Sequence, residues 1–242
     1  MKFINVVFSV VCIALLNSCS SLITAIETGP SVSEVSLESL TPMQIEVADL
    51  QAMPNLYLEQ AGKRKTSVSS QTLNQFQGAL ALKQQGKLAQ AKKILVTLAE
   101  EHPELSGIWL QLALVSKQQN TDDIEQKRED MLEYLNKAIA ANPLNYLAQN
   151  ELALVLRQQG HFQQSLSHYE LALKSWPAFA PAYLNRGILY DLYMGQKSLA
   201  LAEYELYQAL SNDDSRQLKG WIIDLQRQIK NAEQTHQNGS KL

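Results

Sequence analysis

A chain of 242 residues with 45% hydrophobic side chains holds enough apolar material for one large domain or two small ones. Its 21 basic and 24 acidic side chains leave a net charge of -3, and the signs are mixed along the sequence, which argues against a dedicated nucleic-acid binder. Ten glycines and seven prolines are few for this length; both residues destabilise helix interiors, so the composition points to a helical protein.

The chain begins with an address. Met1 and Lys2 give a short positive start, and Phe3 to Leu16 is apolar apart from Asn5 and Ser9. That run has the length of a secretory signal core and is short for a bilayer span. Leu16-Asn17-Ser18-Cys19 follows, and it resembles the lipobox of bacterial lipoproteins: an aliphatic residue, two small or polar residues, then the cysteine. The resemblance implies that residues 1–18 are removed and that Cys19 becomes the first residue, with diacylglycerol on its sulfur. Ser20, next in line, resembles the sorting signal of outer-membrane lipoproteins facing the periplasm. Cysteine usage agrees, since Cys12 falls in the removed segment and the mature chain keeps one capped sulfur. The competing reading joins Phe3 to Ile26 into one uncleaved anchor; Asn17, Ser18, Ser20 and Ser21 make that stretch a poor hydrocarbon spanner.

Residues 19–71 are rich in Ser, Thr, Glu and Gln, and Pro30, Pro42 and Pro54 interrupt them. This composition predicts a lipidated N-terminus followed by a flexible tether. Within it, Ile45, Val47, Leu50, Met53, Leu56 and Leu58 are spaced so that Met43 to Leu58 either forms a short helix or lies against the following domain. Lys63-Arg64-Lys65 is the one dense basic cluster; it reads as a solvated linker, with a contact to lipid headgroups as the sharper alternative.

From residue 72 the apolar residues recur at three- and four-residue steps and the chain repeats itself. Pro103, Pro143 and Pro177 close similar blocks, the first pair 40 residues apart and the second 34. The longer block therefore carries a six-residue insertion, which fits the polar run Asn120 to Arg128. The blocks are 72–105, 106–145, 146–179 and 180–212. Small residues recur on the first helices (Ala79, Ala113, Ala153, Gly187) and on the second (Ala91, Ala138, Ala172, Ala200), where close helix crossings need them. Gly86 and Gly160 end first helices, where a left-handed residue is wanted. This pattern, with Leu152-Ala153, Gly160, Tyr169, Ala172 and Pro177 as its cleanest instance, resembles the tetratricopeptide repeat (TPR). The resemblance covers residues 72–212 and implies an all-α, right-handed α-solenoid of about four helix pairs. Together with the lipobox it is similar to bacterial TPR lipoproteins of the pilotin and envelope-adaptor types. In the fourth block one extra residue sits in the turn Leu192-Tyr193-Met194-Gly195.

Residues 213–232 predict a capping helix, with Asp214 as N-cap and Leu218, Trp221, Ile222, Leu225 and Ile229 on one stripe. A docking helix for a partner is the alternative. Residues 233–242 read as a disordered tail.

No nucleophile motif, phosphate-cradling glycine loop or metal-ligand spacing stands out. His161 and His168 straddle a turn, so no catalytic, cofactor or metal site is expected, and no small-molecule substrate. The TPR resemblance implies instead a concave groove lined by first helices. Mapped onto this sequence its floor is Phe76, Leu80, Leu110, Leu114, Asn150, Leu154, Leu184 and Ile188, with Lys83, Lys117, Arg157 and Asp191 one turn further. Leucines and phenylalanine occupy most places where some TPR domains carry a lysine–asparagine carboxylate clamp. An apolar floor beside a cationic row suits an amphipathic or apolar segment of an envelope protein; the competing reading has several of these leucines packing between repeats. The expected activity is that of a non-enzymatic scaffold anchored by lipid, serving assembly of an envelope complex. A permanent structural subunit and an accessory regulator of a cell-wall hydrolase are the alternatives.

Overall fold

The computed structural model describes residues 41–63 and 68–239. Those residues form eleven α-helices and no strand. Four antiparallel pairs follow one another: α3 (Ser70–Gln84) with α4 (Leu88–Glu101), α5 (Ser106–Gln118) with α6 (Ile124–Ala141), α7 (Tyr146–Gln158) with α8 (Phe162–Ser175), and α9 (Ala180–Leu192) with α10 (Lys197–Ser211). Each second helix also packs on the next first helix, and α11 (Arg216–Gly239) packs on α10. The result is an all-α solenoid.

Two recurring turns build it. Gly86 and Gly160 end their first helices at φ +75° and +82°. In both, the N–H three residues past the helix donates back to a carbonyl five residues earlier, Lys87 to Leu82 and His161 to Leu156, the bond that closes a left-handed helix end. At the other edge, the pairs His102–Leu98, Asn142–Ala138 and Trp176–Ala172 carry one backbone bond, and Leu105–His102, Asn145–Asn142 and Phe179–Trp176 carry the next. The closing prolines have a device of their own. Trp109 Nε1 donates to the Pro103 carbonyl at 2.9 Å, Gln149 Nε2 to Pro143 at 3.0 Å and Tyr183 Oη to Pro177 at 2.9 Å. Three unlike side chains, each six residues after its proline, thus serve the same carbonyl.

The small residues lie where the periodicity puts them. Ala79, Ala113, Ala153, Ala91, Ala138, Ala172 and Ala200 are all buried at helix crossings. A Cβ added at Gly187 would meet the Tyr204 ring at 2.7 Å. The second block's insertion is shared between two places. The turn 119–123 is two residues longer than its counterpart in the first block, and α6, at 18 residues, is four longer than α4.

Three expectations need correction. Residues 42–63 are not a tether: as the apolar spacing of Met43 to Leu58 allowed, helices form there, α1 (Pro42–Ala52) and α2 (Leu56–Lys63). Thr41 and Gln44 make a reciprocal capping box at the start of α1, and α1 lies on α10. The tail is not disordered through 233–239, because α11 continues to Gly239. The capping bond of α11 comes from Ser215, whose Oγ accepts from the Leu218 N–H, while Asp214 pairs with Lys219 at 3.0 Å. The expected stripe of α11 does face the array: Leu218, Ile222 and Leu225 are buried against Tyr190, Ala200 and Tyr204, and Trp221 stands 5.6 Å from the Tyr204 ring.

Candidate functional site

First helices are amphipathic in two directions, since one face meets the second helices and another looks along the array. On that second face, one aliphatic per repeat recurs at an equivalent position: Leu80, Leu114, Leu154 and Ile188, all half-buried. Leu114 packs partly on the core between the second and third repeats, and Ile188 on the core beneath α11. The neighbouring floor positions divide. Phe76 and Leu184 are half-buried, whereas Leu110 and Asn150 are buried. Leu110 belongs to the core formed by α5, α6 and α7, and Asn150 Oδ1 accepts from Asn185 Nδ2 at 3.0 Å. These two are packing positions and offer no surface, a correction to the expected floor. Side chains of α6 and α7 enclose Leu110, and Asn150 is tied to α9 through Asn185.

The expected cationic row is present, and it is tied along the array. Lys83 Nζ donates to Gln111 Oε1 at 2.6 Å, Lys117 Nζ to Glu151 Oε2 at 2.7 Å, and Arg157 Nη1 to the Asn185 carbonyl at 3.1 Å. Asp191, at the fourth equivalent position, pairs with Lys197 at 2.7 Å. Each cation thus reaches from one first helix to the next, a ladder that periodicity alone does not reveal. Lys117 is paired with a carboxylate, whereas Lys83 meets an amide oxygen and Arg157 meets a backbone carbonyl and the Tyr193 ring, 5.9 Å from its centroid. Burial lowers the Lys83 pKa from its ordinary value. The uncompensated positive charge of the row therefore sits at its first and third steps.

A second surface was legible only in part from the sequence. The segment α1–α2 runs along the edge where second helices end and first helices begin. Leu50 joins a cluster with Leu173, Phe179, Ala182 and Tyr183. Tyr57 stands edge-on to Tyr146 at 6.0 Å, and Tyr146 in turn meets Phe179 at 4.7 Å and Trp176 at 5.0 Å. The spaced apolar residues of Met43 to Leu58 were the only available signal, and they did not say which surface would receive them.

Cys19 and the lipobox lie outside the described residues, as do the side chains of Lys63-Arg64-Lys65. Among the described residues no helix is long and apolar enough to cross a membrane, and no three His, Cys, Asp or Glu side chains gather as a metal site would require. His168 is engaged within the fold: its Nδ1 lies 2.6 Å from Gln149 Oε1, and burial lowers its pKa.

The architecture defines the class of fold: an all-α solenoid of the tetratricopeptide type. Among solved structures, the chain is similar to MamA from Desulfovibrio magneticus (13% identity, 72% of this chain and 94% of that one, TM-score 0.56). It is also similar to PilF from Pseudomonas aeruginosa (20% identity, 69% and 72%, TM-score 0.56) and to a thermophilic TPR protein of Thermus thermophilus (20% identity, 65% and 82%, TM-score 0.50). At these identities the likeness is one of fold. No family model and no curated protein sequence matches the chain.

Proposed function

We propose that this chain is a non-enzymatic scaffold that binds a protein segment along its first-helix face, and that it is held at the outer membrane by lipid on Cys19. The observation that carries the binding reading is the row Leu80, Leu114, Leu154 and Ile188, one aliphatic per repeat on a shared face, beside Lys83 and Arg157, whose charges no carboxylate cancels. Such a row matches a segment with apolar side chains at regular spacing and acidic groups near the first and third repeats. The lipid reading rests on Leu16-Asn17-Ser18-Cys19 after an apolar run. A tethered scaffold of this kind serves assembly of an envelope complex by raising the local concentration of its partner.

The binding reading is tested by Leu80→Glu together with Leu154→Glu. These two positions belong to none of the buried clusters, so the double variant keeps its helical circular dichroism. Photo-crosslinking from position 154 in intact cells captures a discrete partner band in the parent protein, and the Glu pair reduces that band at least tenfold. An undiminished band from the folded double variant refutes the face as the docking surface. Metabolic labelling with a palmitate analogue tests the anchor separately: label is incorporated by the parent and is lost in Cys19→Ser.

A further inference from the structure

Helix α11 has two faces. Leu218, Ile222 and Leu225 bury one of them against the array. On the other, Arg216, Lys219, Ile223, Arg227 and Lys230 follow at steps of three, four, four and three residues, which keeps them on a single stripe. All five are exposed, Ile223 by 63%. Lys219 and Arg227 have carboxylates beside them, Asp214 and Asp224, in pairs open to water; such pairs hold weakly. Arg216 and Lys230 have no carboxylate partner among the described residues. An apolar knob thus stands among four cations, on a chain whose net charge is -3.

Helix α1 carries the counterpart. Met43, Val47 and Leu50 are its half-buried residues, while Ile45, Glu46, Asp49 and Met53 are exposed and line, with Leu50, a hollow of about 480 Å³. Ile45 and Met53, 39% and 48% exposed, make its lining apolar. Glu46 and Asp49 stand at it, and among the described residues no ion pair holds either. The reach of the two surfaces agrees: eleven residues of helix separate Arg216 from Arg227, and α1 is eleven residues long, about 16 Å in each case. Both helices pack on α10, so both surfaces belong to the same end of the array. We infer that α11 of one copy docks on α1 of a second copy, with Ile223 entering the hollow between Ile45 and Met53 and the flanking arginines facing Glu46 and Asp49. The contact is made twice. Each copy gives its α11 and receives the other's, so the pair closes as a two-fold dimer with no stripe left to recruit a third chain. The dimer uses none of Leu80, Leu114, Leu154 and Ile188, and it requires neither the scaffold's binding face nor the lipid.

Two differently tagged copies of the full chain, produced together and solubilised in detergent, test this by co-capture. Parent copies recover one another, and raising salt from about 0.1 to 0.5 M lowers the recovery several-fold. Arg216→Glu with Arg227→Glu lowers it about tenfold, and Glu46→Lys with Asp49→Lys does the same, because in each variant both contacts then join like charges. Producing one copy of each variant together restores the parent recovery, since both contacts of that mixed pair again join opposite charges; the rescue also shows that both variants are folded. Ile223→Asp, a single exposed change, gives the same loss should either double reversal lower the melting temperature. A photo-crosslinking residue at position 223 joins α1 of the other copy. Parent-like recovery from either reversed variant alone, failure of the two to rescue one another while their melting temperatures match the parent, or crosslinks from position 223 that reach lipid or a different protein instead of α1 overturn the inference.

Discussion

Gly187 shows how much of this fold rests on a missing atom. A Cβ there would meet Tyr204 Cδ1 and Cε1 at 2.7 Å and Glu203 Cβ at 3.1 Å. Tyr204 cannot retreat easily, because it is buried and leans on Trp221, and Glu203 is held by Arg186 through two bonds at 2.7 and 2.9 Å. Gly187→Ala gains about 1 kcal/mol of helix propensity, but overpacking of this kind costs about 1–3 kcal/mol. The net effect is a loss, visible as a lower urea midpoint. The equivalent small residues Ala79, Ala113 and Ala153 tolerate their methyl, so a gain of stability in Gly187→Ala would show that α9 and α10 do not cross this closely. His168 gives a prediction in pH. Burial lowers its folded pKa below the ordinary 6.5, so the folded protein binds fewer protons than the unfolded chain. Its share of stability is complete above pH 6.5 and drains away as pH falls from there toward the lowered value. Urea midpoints measured between pH 7.5 and 5 fall in the parent, and His168→Gln flattens that part of the slope. A slope unchanged by the substitution would place the titration elsewhere.

At the scale of elements, α11 covers the last apolar face with Leu218, Ile222 and Leu225, as a repeat array requires at its end. Leu225→Ala removes a fully buried side chain and lowers unfolding free energy by about 2–5 kcal/mol, whereas truncation after residue 230 removes only side chains that are exposed as far as 235 and changes the midpoint little. If the truncation proves as costly as the core substitution, the far end of α11 has a packing partner. The repeat helices and this cap were legible because period, small residues and glycine ends all report one local geometry that each block repeats. The strap formed by α1 and α2 was legible only as a short helix or docked segment of unknown placement, because α1 buries none of its residues fully and carries almost no one-sided apolar pattern; its helix comes from the Thr41–Gln44 cap and its placement from contacts far away in sequence. The same limit governed the candidate site. The TPR resemblance put Leu80, Leu154, Leu110 and Asn150 on one floor; the first two are half-buried, whereas the last two are buried by side chains of neighbouring helices that the repeat pattern does not locate. The pairing of Lys117 with Glu151, likewise, is set by the offset between repeats, which the sequence expresses only after the array is built.

For the whole molecule, the strap changes the kind of object a solenoid is. In a simple array each repeat touches only its neighbours, and unfolding proceeds as a chain of local steps. Here α2 meets the start of α7 through Tyr57 and Tyr146, and α1 reaches the α8–α10 cluster through Leu50, so a segment that precedes the first repeat in sequence is fastened to the last. The link makes the repeats unfold together. Leu50→Asp places a carboxylate in the apolar cluster and detaches α1 at a cost of about 1–2 kcal/mol. The parent unfolds in urea in one transition, coincident by tryptophan fluorescence and circular dichroism. The variant unfolds with the two signals separated and a shallower slope, because α9, α10 and α11 then melt apart from α3 to α6. Amide exchange locates the change: faster in α1 and at the ends of α9 and α10, unaltered in α3 and α4. One coincident transition in the variant, with exchange unchanged in α10, would mean that neighbour contacts alone couple the array and that the strap only rests upon it.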